Sequence, residues 1–340
     1  MIDVEKRCHK KSLEENQYTS TGIKFWRHKN SLNAYKNGDA HSVISTHISP
    51  EGRCNLSCAY CSVSKRKITE RIELTAIKNY VQTLKKYGLK AVILTGGGEP
   101  TLYPKFNELV YWLIEENLSV ALITNGTNID SVDSRLWDFF SWVRISINFF
   151  SNYKNVITFP YTKGVLGASM VYGGQSVEDL KDLSAFIPSD KVRYIRVLPN
   201  CLQNQESLIE EHKKIAEILS KIDDKRFFQQ FKLHETPHSK ICHQAYFRPY
   251  LSEVNGGTVF PCDSLVLNNA QAHFNEKYAI CNISDVEKFL TRKLYMNFDP
   301  IVDCQGCVFA GNINLLDNWI HKGINHFDEY KENILHEEFV

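Results

Sequence analysis

The chain has 340 residues, enough for about two domains, and 43% of them are hydrophobic, which is ample for a core. Its 40 lysines and arginines nearly balance 39 aspartates and glutamates, leaving a net charge of +1. This balance excludes strong electrostatic attraction to nucleic acid or an anionic membrane as the main mode of binding. No run of about 18 apolar residues occurs and the N-terminal segment is charged, so we expect a cytoplasmic protein. Its ten cysteines are then metal ligands or reactive thiols rather than disulfides.

In chain order, residues 1–40 carry both basic and acidic side chains, and we expect a solvated N-terminal extension. From residue 43 to 200, six β-rich segments alternate with helical patterns. The segments are Val43–Ser49, Ala91–Gly96, Ser119–Asn125, Trp142–Asn148, Gly164–Tyr172 and Tyr194–Pro199. Helical spacing marks Ile72–Tyr87, Phe106–Ile114, Val177–Ile187 and Glu206–Ile222, and Gly88 follows the first at a C-cap position. Such alternation predicts right-handed βαβ units and a parallel sheet, with two units fewer than the eight of a closed barrel.

Three cysteines follow the first β-rich segment, Cys54, Cys58 and Cys61, with the spacing C-x3-C-x2-C. Three thiolates on one short loop suit three corners of a 4Fe-4S cluster and leave its fourth iron open. A zinc knuckle is the alternative, but a structural zinc needs a fourth ligand and the other cysteines are distant in sequence. With Tyr60 before the last cysteine, the loop resembles the signature of the radical S-adenosylmethionine (radical SAM) superfamily.

This resemblance implies that the open iron is chelated by the amino and carboxylate groups of SAM. One electron, from a flavodoxin- or ferredoxin-type donor, then cleaves SAM to a 5′-deoxyadenosyl radical, which takes a hydrogen atom from the substrate. The resemblance also implies an α/β fold with a partial (β/α)6 barrel, here over residues 41–222. Active sites of α/β barrels lie at the carboxyl ends of the strands, where the cysteine loop is expected.

Further motifs stand at the ends of the predicted strands. The second strand ends in Gly97-Gly98-Glu99, which matches the superfamily's GGE motif and implies contact with the methionine part of SAM. A plain tight turn can have the same residues, so the motif alone is a weak signal. Its position one βα unit after the cysteines makes the match more specific. The resemblance also implies cofactor contacts from the polar residues that end the third and fourth strands, Asn125, Ser146 and Asn148. Many relatives carry aspartate where Asn148 stands, which leaves its role open.

Three residues are candidates for contact with the substrate. Arg196, on the sixth strand, points either into the barrel, as a carboxylate-binding or basic group, or outward to the surface. Cys201 follows that strand on the catalytic face, where a thiol could return a hydrogen atom to a substrate radical; a loop cysteine without a role is the alternative. Cys281 is a spare cluster ligand, a core thiol or a hydrogen donor.

A second set of cysteines, Cys242, Cys262, Cys304 and Cys307, lies past residue 235. Its layout, with Gly257 five residues before Cys262 and a C-x2-C knuckle at the end, resembles the twitch form of the SPASM auxiliary-cluster domain. The resemblance implies one auxiliary 4Fe-4S cluster on these four cysteines, within residues 236–312. A zinc site with four cysteine ligands fits the same knuckle. Residues 313–340 are expected to form a C-terminal helical segment that packs on the barrel.

The function expected from these motifs is an oxidation. Hydrogen abstraction and deprotonation of the substrate would be followed by transfer of one electron to the auxiliary cluster, as in twitch relatives that oxidise an alcohol. A peptide-modifying maturase or epimerase is the enzymatic alternative; the roughly forty residues before the first strand are too few for a leader-binding domain of the usual size. A non-catalytic iron–sulfur redox sensor is the alternative of another class, and it has no need of the GGE motif. The substrate, a small molecule or a peptide, is not specified by any motif.

Overall fold

The computed structural model describes residues 3–64, 66–147, 157–265, 276–329 and 333–340. In this part of the chain ten strands form one sheet: β1 (Ser45–Ile48), β2 (Ala91–Leu94), β3 (Ser119–Thr124), β4 (Phe140–Ser146), β5 (Val165–Val171), β6 (Val192–Leu198), β7 (Phe227–Gln229), β8 (Tyr250–Ser252), β9 (Thr258–Phe260) and β10 (Cys281–Asn282). Their order across the sheet is β10-β9-β8-β1-β2-β3-β4-β5-β6-β7.

The described α-helices are α1 (Val4–His9), α2 (Leu13–Tyr18), α3 (Lys29–Lys36), α4 (Leu74–Lys86), α5 (Phe106–Glu115), α6 (Val177–Phe186), α7 (Gln205–Leu219), α8 (Gln244–Phe247), α9 (Val286–Leu290), α10 (Pro300–Asp303) and α11 (Ala310–Lys322). None of the helices described here has the length and hydrophobicity needed to cross a bilayer.

The parallel part of the sheet runs in sequence order from β1 to β7, each strand pairing in parallel with the next. All six predicted strands are present, which confirms the α/β fold with an open, partial barrel. The short strand β7 adds a seventh parallel strand that the sequence pattern did not predict. The sheet does not close on itself, so the described barrel has an open side between its two edges.

The two faces of the sheet bury different residues. On β2, Val92 and Leu94 join the main core beneath the helices, whereas Ala91 and Ile93 point to the other face, into the barrel. The predicted helix over residues 72–87 is α4, and its apolar residues are buried in the main core. It ends where predicted, because Gly88 has a φ of +105°, which favours glycine.

The region past residue 235 extends the barrel sheet instead of forming a separate one. β8 pairs in parallel with β1, and β9 and β10 follow as antiparallel strands. The C-terminal helix expected around residues 313–320 is part of α11, which ends at Gly323 with a φ of +71°. The domain boundaries given above stay a prediction.

The N-terminal residues are not a solvated extension. Phe25, Trp26 and Leu32 are buried in the main core, and α2 places Glu15 in the interior. The Glu15 carboxylate accepts a hydrogen bond of 3.0 Å from the backbone N–H of Phe231, just after β7. The many charged residues of the segment 1–40 hid this packing, since the buried apolar residues are too few to form a clear helical pattern.

Candidate functional site

The loop that carries Cys54, Cys58 and Cys61 leaves the carboxyl end of β1, and its three thiols are half-buried. Arg66 braces the loop by donating to the backbone carbonyls of Gly52, at 2.9 Å, and Val63, at 3.1 Å. The same guanidinium lies 3.6 Å from the Cys61 sulfur. Two positions of the loop are thus held by one side chain that also donates toward a candidate ligand.

The thiols of this loop lie close together. The pKa of Cys58 rises to about 12, mainly because of burial, and the neighbouring Cys61 and Cys54 contribute to that rise. Burial also raises the pKa of Cys54. Three adjacent thiols resist ionising together unless a cation compensates their charge, and thiolate is the form that binds metal. The donor set therefore fits a cluster bound by three thiolates.

The glycines of the second strand's motif pack against the start of this loop. The Gly98 N–H donates to the Glu51 carbonyl at 2.9 Å, and the Glu99 N–H donates to the Arg53 carbonyl at 2.7 Å. A Cβ atom at Gly98 would overlap the Arg53 backbone, and one at Gly97 would overlap the carboxylate of Glu253. Glycine is required here because two backbones approach closely one residue before Cys54.

Glu99 is directed into the fold. It is 2% exposed, and its carboxylate accepts hydrogen bonds from the Thr101 N–H and hydroxyl, the Thr124 hydroxyl and the Asn125 N–H. Burial raises the pKa of Glu99, while these four donors oppose the rise. The carboxylate thus joins the ends of β2 and β3. A direct contact of Glu99 with SAM stays a prediction, and its observed role is to position the motif.

Asn125 and Ser146 lie at neighbouring strand ends. The Asn125 amide nitrogen is 3.8 Å from the Cys54 sulfur and 2.9 Å from the Asn55 side-chain oxygen, so this residue reaches the cysteine loop. Ser146 ends β4 on the inner face, in register with Ser169 of β5. Asn148 lies outside the described residues. The cofactor contacts expected of these residues stay predictions.

An upper cavity of about 230 Å³ opens beside the cysteine loop and the strand ends. Tyr60, Gly96, Cys201 and Asp263 are among its lining residues. Burial raises the pKa of the Tyr60 hydroxyl to about 12, with Cys58 adding to the rise. The predicted aromatic neighbour of the cluster therefore faces a space that also contains the Cys201 thiol.

The two remaining candidate thiols differ in position. Cys201 lines the upper cavity, with its sulfur 3.6 Å from the Pro199 carbonyl, and burial raises its pKa. Cys281 is buried in β10, where burial raises its pKa to about 12 and Asp285 adds to it. It lies near Tyr80 of α4, among core residues. The structure thus brings Cys201, and not Cys281, to the cavity.

Arg196 points into the barrel. Its guanidinium donates to the Ser169 hydroxyl at 2.8 and 3.0 Å and to the Gln230 side-chain oxygen at 2.9 Å. Its pKa falls to about 9, mainly because of burial, and nearby Arg144 contributes to the fall. Of the two orientations left open by the sequence, the inward one is observed.

The second cysteine set converges. Cys242, Cys262, Cys304 and Cys307 are between 5% and 8% exposed. Burial raises the pKa of Cys242 well above its ordinary value, and Cys262, Cys307 and Cys304 each add to the rise. Cys307 is held by a backbone bridge to Glu235, and its sulfur accepts from the Phe309 N–H at 3.4 Å. Four thiols that approach one another in a buried pocket form a metal-binding donor set.

Zinc and a 4Fe-4S cluster both take four cysteine thiolates as ligands, so this donor set fits either of them. Gly257, which the sequence singled out, has a φ of +136° in the turn before β9.

Sequence reasoning missed a group of charged residues inside the barrel. Asp263, directly after Cys262, lies 3.3 Å from His47 of β1 and 3.5 Å from Arg248. Burial alone would raise the pKa of Asp263, but His47, Arg248 and Lys232 hold it well below its ordinary value. The period-two pattern of polar residues along β1 and directly after it, Ser45, His47 and Ser49, was the available signal. The residues that join His47 in this group, Arg248 and Asp263, lie about 200 residues further along the chain.

Comparison with known proteins bears on this geometry. Residues 48–185 match the family model of the radical SAM superfamily, a range that includes the three-cysteine loop and the GGE motif. The chain contains a radical SAM domain. The second cysteine set lies outside that range, so the match does not cover it.

Two curated relatives and one solved structure illustrate the similarity. A UPF0026 protein of Helicobacter pylori is 28% identical over 161 residues, covering 40% of this chain and 51% of the relative. Neomycin C epimerase of Streptomyces fradiae is 28% identical over 147 residues, covering 38% of this chain and 46% of the relative. The chain thus spans about half the length of the curated relatives it matches. The structure of Streptococcus suis SuiB bound to precursor peptide SuiA aligns with a TM-score of 0.52 and 15% identity, covering 92% of this chain and 78% of that chain, which shows a shared fold.

Proposed function

We propose that this chain is a radical SAM oxidoreductase that removes two electrons from its substrate. The observation that carries the proposal is the convergence of two separate cysteine sets, three half-buried thiols beside a cavity and four sealed thiols. Cys54, Cys58 and Cys61 would hold the first 4Fe-4S cluster. Cys242, Cys262, Cys304 and Cys307 would hold the second.

With both clusters and SAM bound, the site would supply a 5′-deoxyadenosyl radical that removes one hydrogen atom and a second cluster that accepts one electron, while a proton leaves the substrate. The chain's own residues prepare this chemistry. Arg66 braces the cysteine loop, and Asn125 donates toward Cys54. Glu99 ties together the strand ends on which SAM would sit. The upper cavity, lined by Tyr60 and Cys201, would receive the reacting carbon and exclude water from it.

The test is the iron and sulfide content per chain after anaerobic reconstitution, in wild type and in the variant with Cys54, Cys58 and Cys61 all changed to alanine. We expect about eight irons in wild type and about four in the variant. Reduced wild type with SAM should form 5′-deoxyadenosine, and the variant should form none. About four irons falling to about zero, with zinc present, would contradict the two-cluster proposal. No 5′-deoxyadenosine from fully loaded wild type would instead favour a redox sensor.

An epimerase is the second candidate, because the Cys201 thiol lies in the upper cavity. There it could return a hydrogen atom to a substrate radical, which would make the reaction redox-neutral. Similarity to neomycin C epimerase agrees with this reading. Cys201→Ala separates the two: an epimerase would lose product formation but keep SAM cleavage, whereas an oxidase would keep both. Cys281→Ala is the matched control, since that thiol lies in the core.

A further inference from the structure

The barrel interior contains a second, smaller cavity with an excess of positive charge. Its volume is about 80 Å³. Five cationic side chains line it, Lys24, Arg144, Arg196, Lys232 and Arg248, against the single carboxylate of Asp263. Moving a charged side chain out of water without an oppositely charged partner costs several kcal/mol. The excess of positive charge in this cavity must therefore be stabilised either by neighbouring groups of the chain or by a bound anion.

Two of the five cations are accounted for by their neighbours. Arg248 forms the ion pair with Asp263 and donates to the Val340 backbone oxygen at 3.1 Å. Lys24 donates to the His336 carbonyl at 3.2 Å, and burial lowers its pKa to about 7, so that only part of its charge remains near neutral pH.

The guanidinium groups of Arg144 and Arg196 are held by neutral partners. Arg144 donates to the Tyr194 hydroxyl at 3.1 Å and to the Tyr18 carbonyl at 2.5 Å. Arg196 donates to Ser169 and Gln230, as described above. Within the described ranges neither arginine has a carboxylate at ion-pair distance. Both are therefore fixed in orientation while their charge is left without a counterion.

Lys232 is the third cation that forms no ion pair at contact distance within the described structure. Asp263 is near enough to interact with it, but that carboxylate is already paired with Arg248 and His47. The ammonium group lies over the face of Phe309, 5.3 Å from the ring centroid. Lys232 lines the interior cavity, the upper cavity and a groove of about 480 Å³ on the side of the barrel. It thus stands where a ligand in the interior would extend toward the cysteine loop.

We propose that the interior cavity binds an anionic group of the substrate, a carboxylate or a phosphate, through Arg144, Arg196 and Lys232. The planar guanidinium forks would bind two oxygens each, and the lysine would add a point charge. The rest of the ligand would reach past Lys232 into the upper cavity, beside Tyr60 and Cys201. That the ligand is the substrate rests on the proposed function, whereas anion binding itself can be measured without SAM.

The test is calorimetric titration of the cluster-loaded protein with sodium phosphate and, separately, sodium acetate, at constant ionic strength. Wild type should bind at least one of the two anions. Lys232→Gln and Arg196→Gln should each weaken that binding about tenfold or more, because each removes a charge-assisted contact. The Lys232 variant loses no hydrogen bond of its ammonium group within the described structure, so folding should not limit this variant. Arg135→Gln, an exposed arginine paired with Asp133, is the control and should bind as wild type does.

Tighter binding of phosphate would indicate a phosphorylated substrate, and tighter binding of acetate a carboxylate. Three results would overturn the proposal: no binding to wild type, unchanged binding in both variants, or equal weakening in the Arg135 control. SAM cleavage measured on the same wild-type samples separates the two hypotheses. Cleavage without anion binding refutes only the anion site, and anion binding without cleavage refutes only the proposed function.

Discussion

The two cysteine sets differ in how far the fold encloses them. Cys54, Cys58 and Cys61 are half-buried on a loop next to a cavity, whereas the other four cysteines are less than 9% exposed. With metal bound, the open set would leave room for a small molecule to reach it, whereas the sealed set would surround the metal with four protein donors. This contrast agrees with the proposal of one site for chemistry and one for electron storage in the same chain. The experiments below perturb the sets separately.

Gly98→Ala should have the largest effect on the open set. A Cβ atom there overlaps the Arg53 backbone and would displace the chain one residue before Cys54. We expect SAM cleavage to fall by more than about 100-fold and iron to fall by about four per chain, while the sealed set keeps its iron. Iron analysis and 5′-deoxyadenosine formation measure both effects.

Gly311→Ala is the control for that variant, because nothing lies within 4 Å of the added Cβ atom. It should retain all of its iron and its activity. Equal iron loss from both sets in the Gly98 variant would show that the two sites depend on each other.

Arg66→Met should weaken the open set less severely. The variant loses the bonds to the Gly52 and Val63 carbonyls and the donor beside the Cys61 sulfur. Loss of such a supporting residue typically costs 10–100-fold in metal affinity or activity, so we expect SAM cleavage to fall by about that factor. Lys67→Met is the matched control on the same loop, since the side chain of Lys67 forms an exposed ion pair with Glu70. A Lys67 variant as impaired as the Arg66 variant would mean that charge, and not bracing, matters.

Removal of iron by a chelator under mild oxidation should distinguish the sets in the unmodified protein. Half-exposed ligands are reached sooner than ligands in a sealed pocket, so about half of the iron should leave about tenfold faster than the rest. The time course of chelated iron, followed by absorbance, gives both phases. The variant without Cys54, Cys58 and Cys61 should show only the slow phase. A single phase in wild type would remove the basis for calling one set open.

Much of the fold was predictable from local patterns, and much of the site was not. The six strands and the helix end at Gly88 were predictable from the hydrophobic periodicity and the composition of short stretches of sequence. Glu99 illustrates the limit: its place in the motif predicts a ligand contact, which stays a prediction, but gave no sign of the hydrogen bonds from the Thr124 hydroxyl and the Asn125 N–H to its carboxylate. Lys232 and Arg144 were missed for a related reason. A charged residue in or near a strand becomes informative only when the topology shows that no counterion faces it.

Cys281→Ala should have the smallest effect, and it tests the boundary of the sealed set. Burial and Asp285 raise the pKa of Cys281, whereas the four clustered cysteines raise one another's, which indicates that Cys281 lies apart from them. Its replacement should leave iron content and SAM cleavage unchanged and lower the free energy of unfolding by about 1 kcal/mol through a small cavity. Iron analysis and thermal unfolding measure these outcomes. A loss of about four irons would instead make Cys281 a ligand and remove one of the four cysteines from the assigned set, because a cluster with four ligands has no place for a fifth.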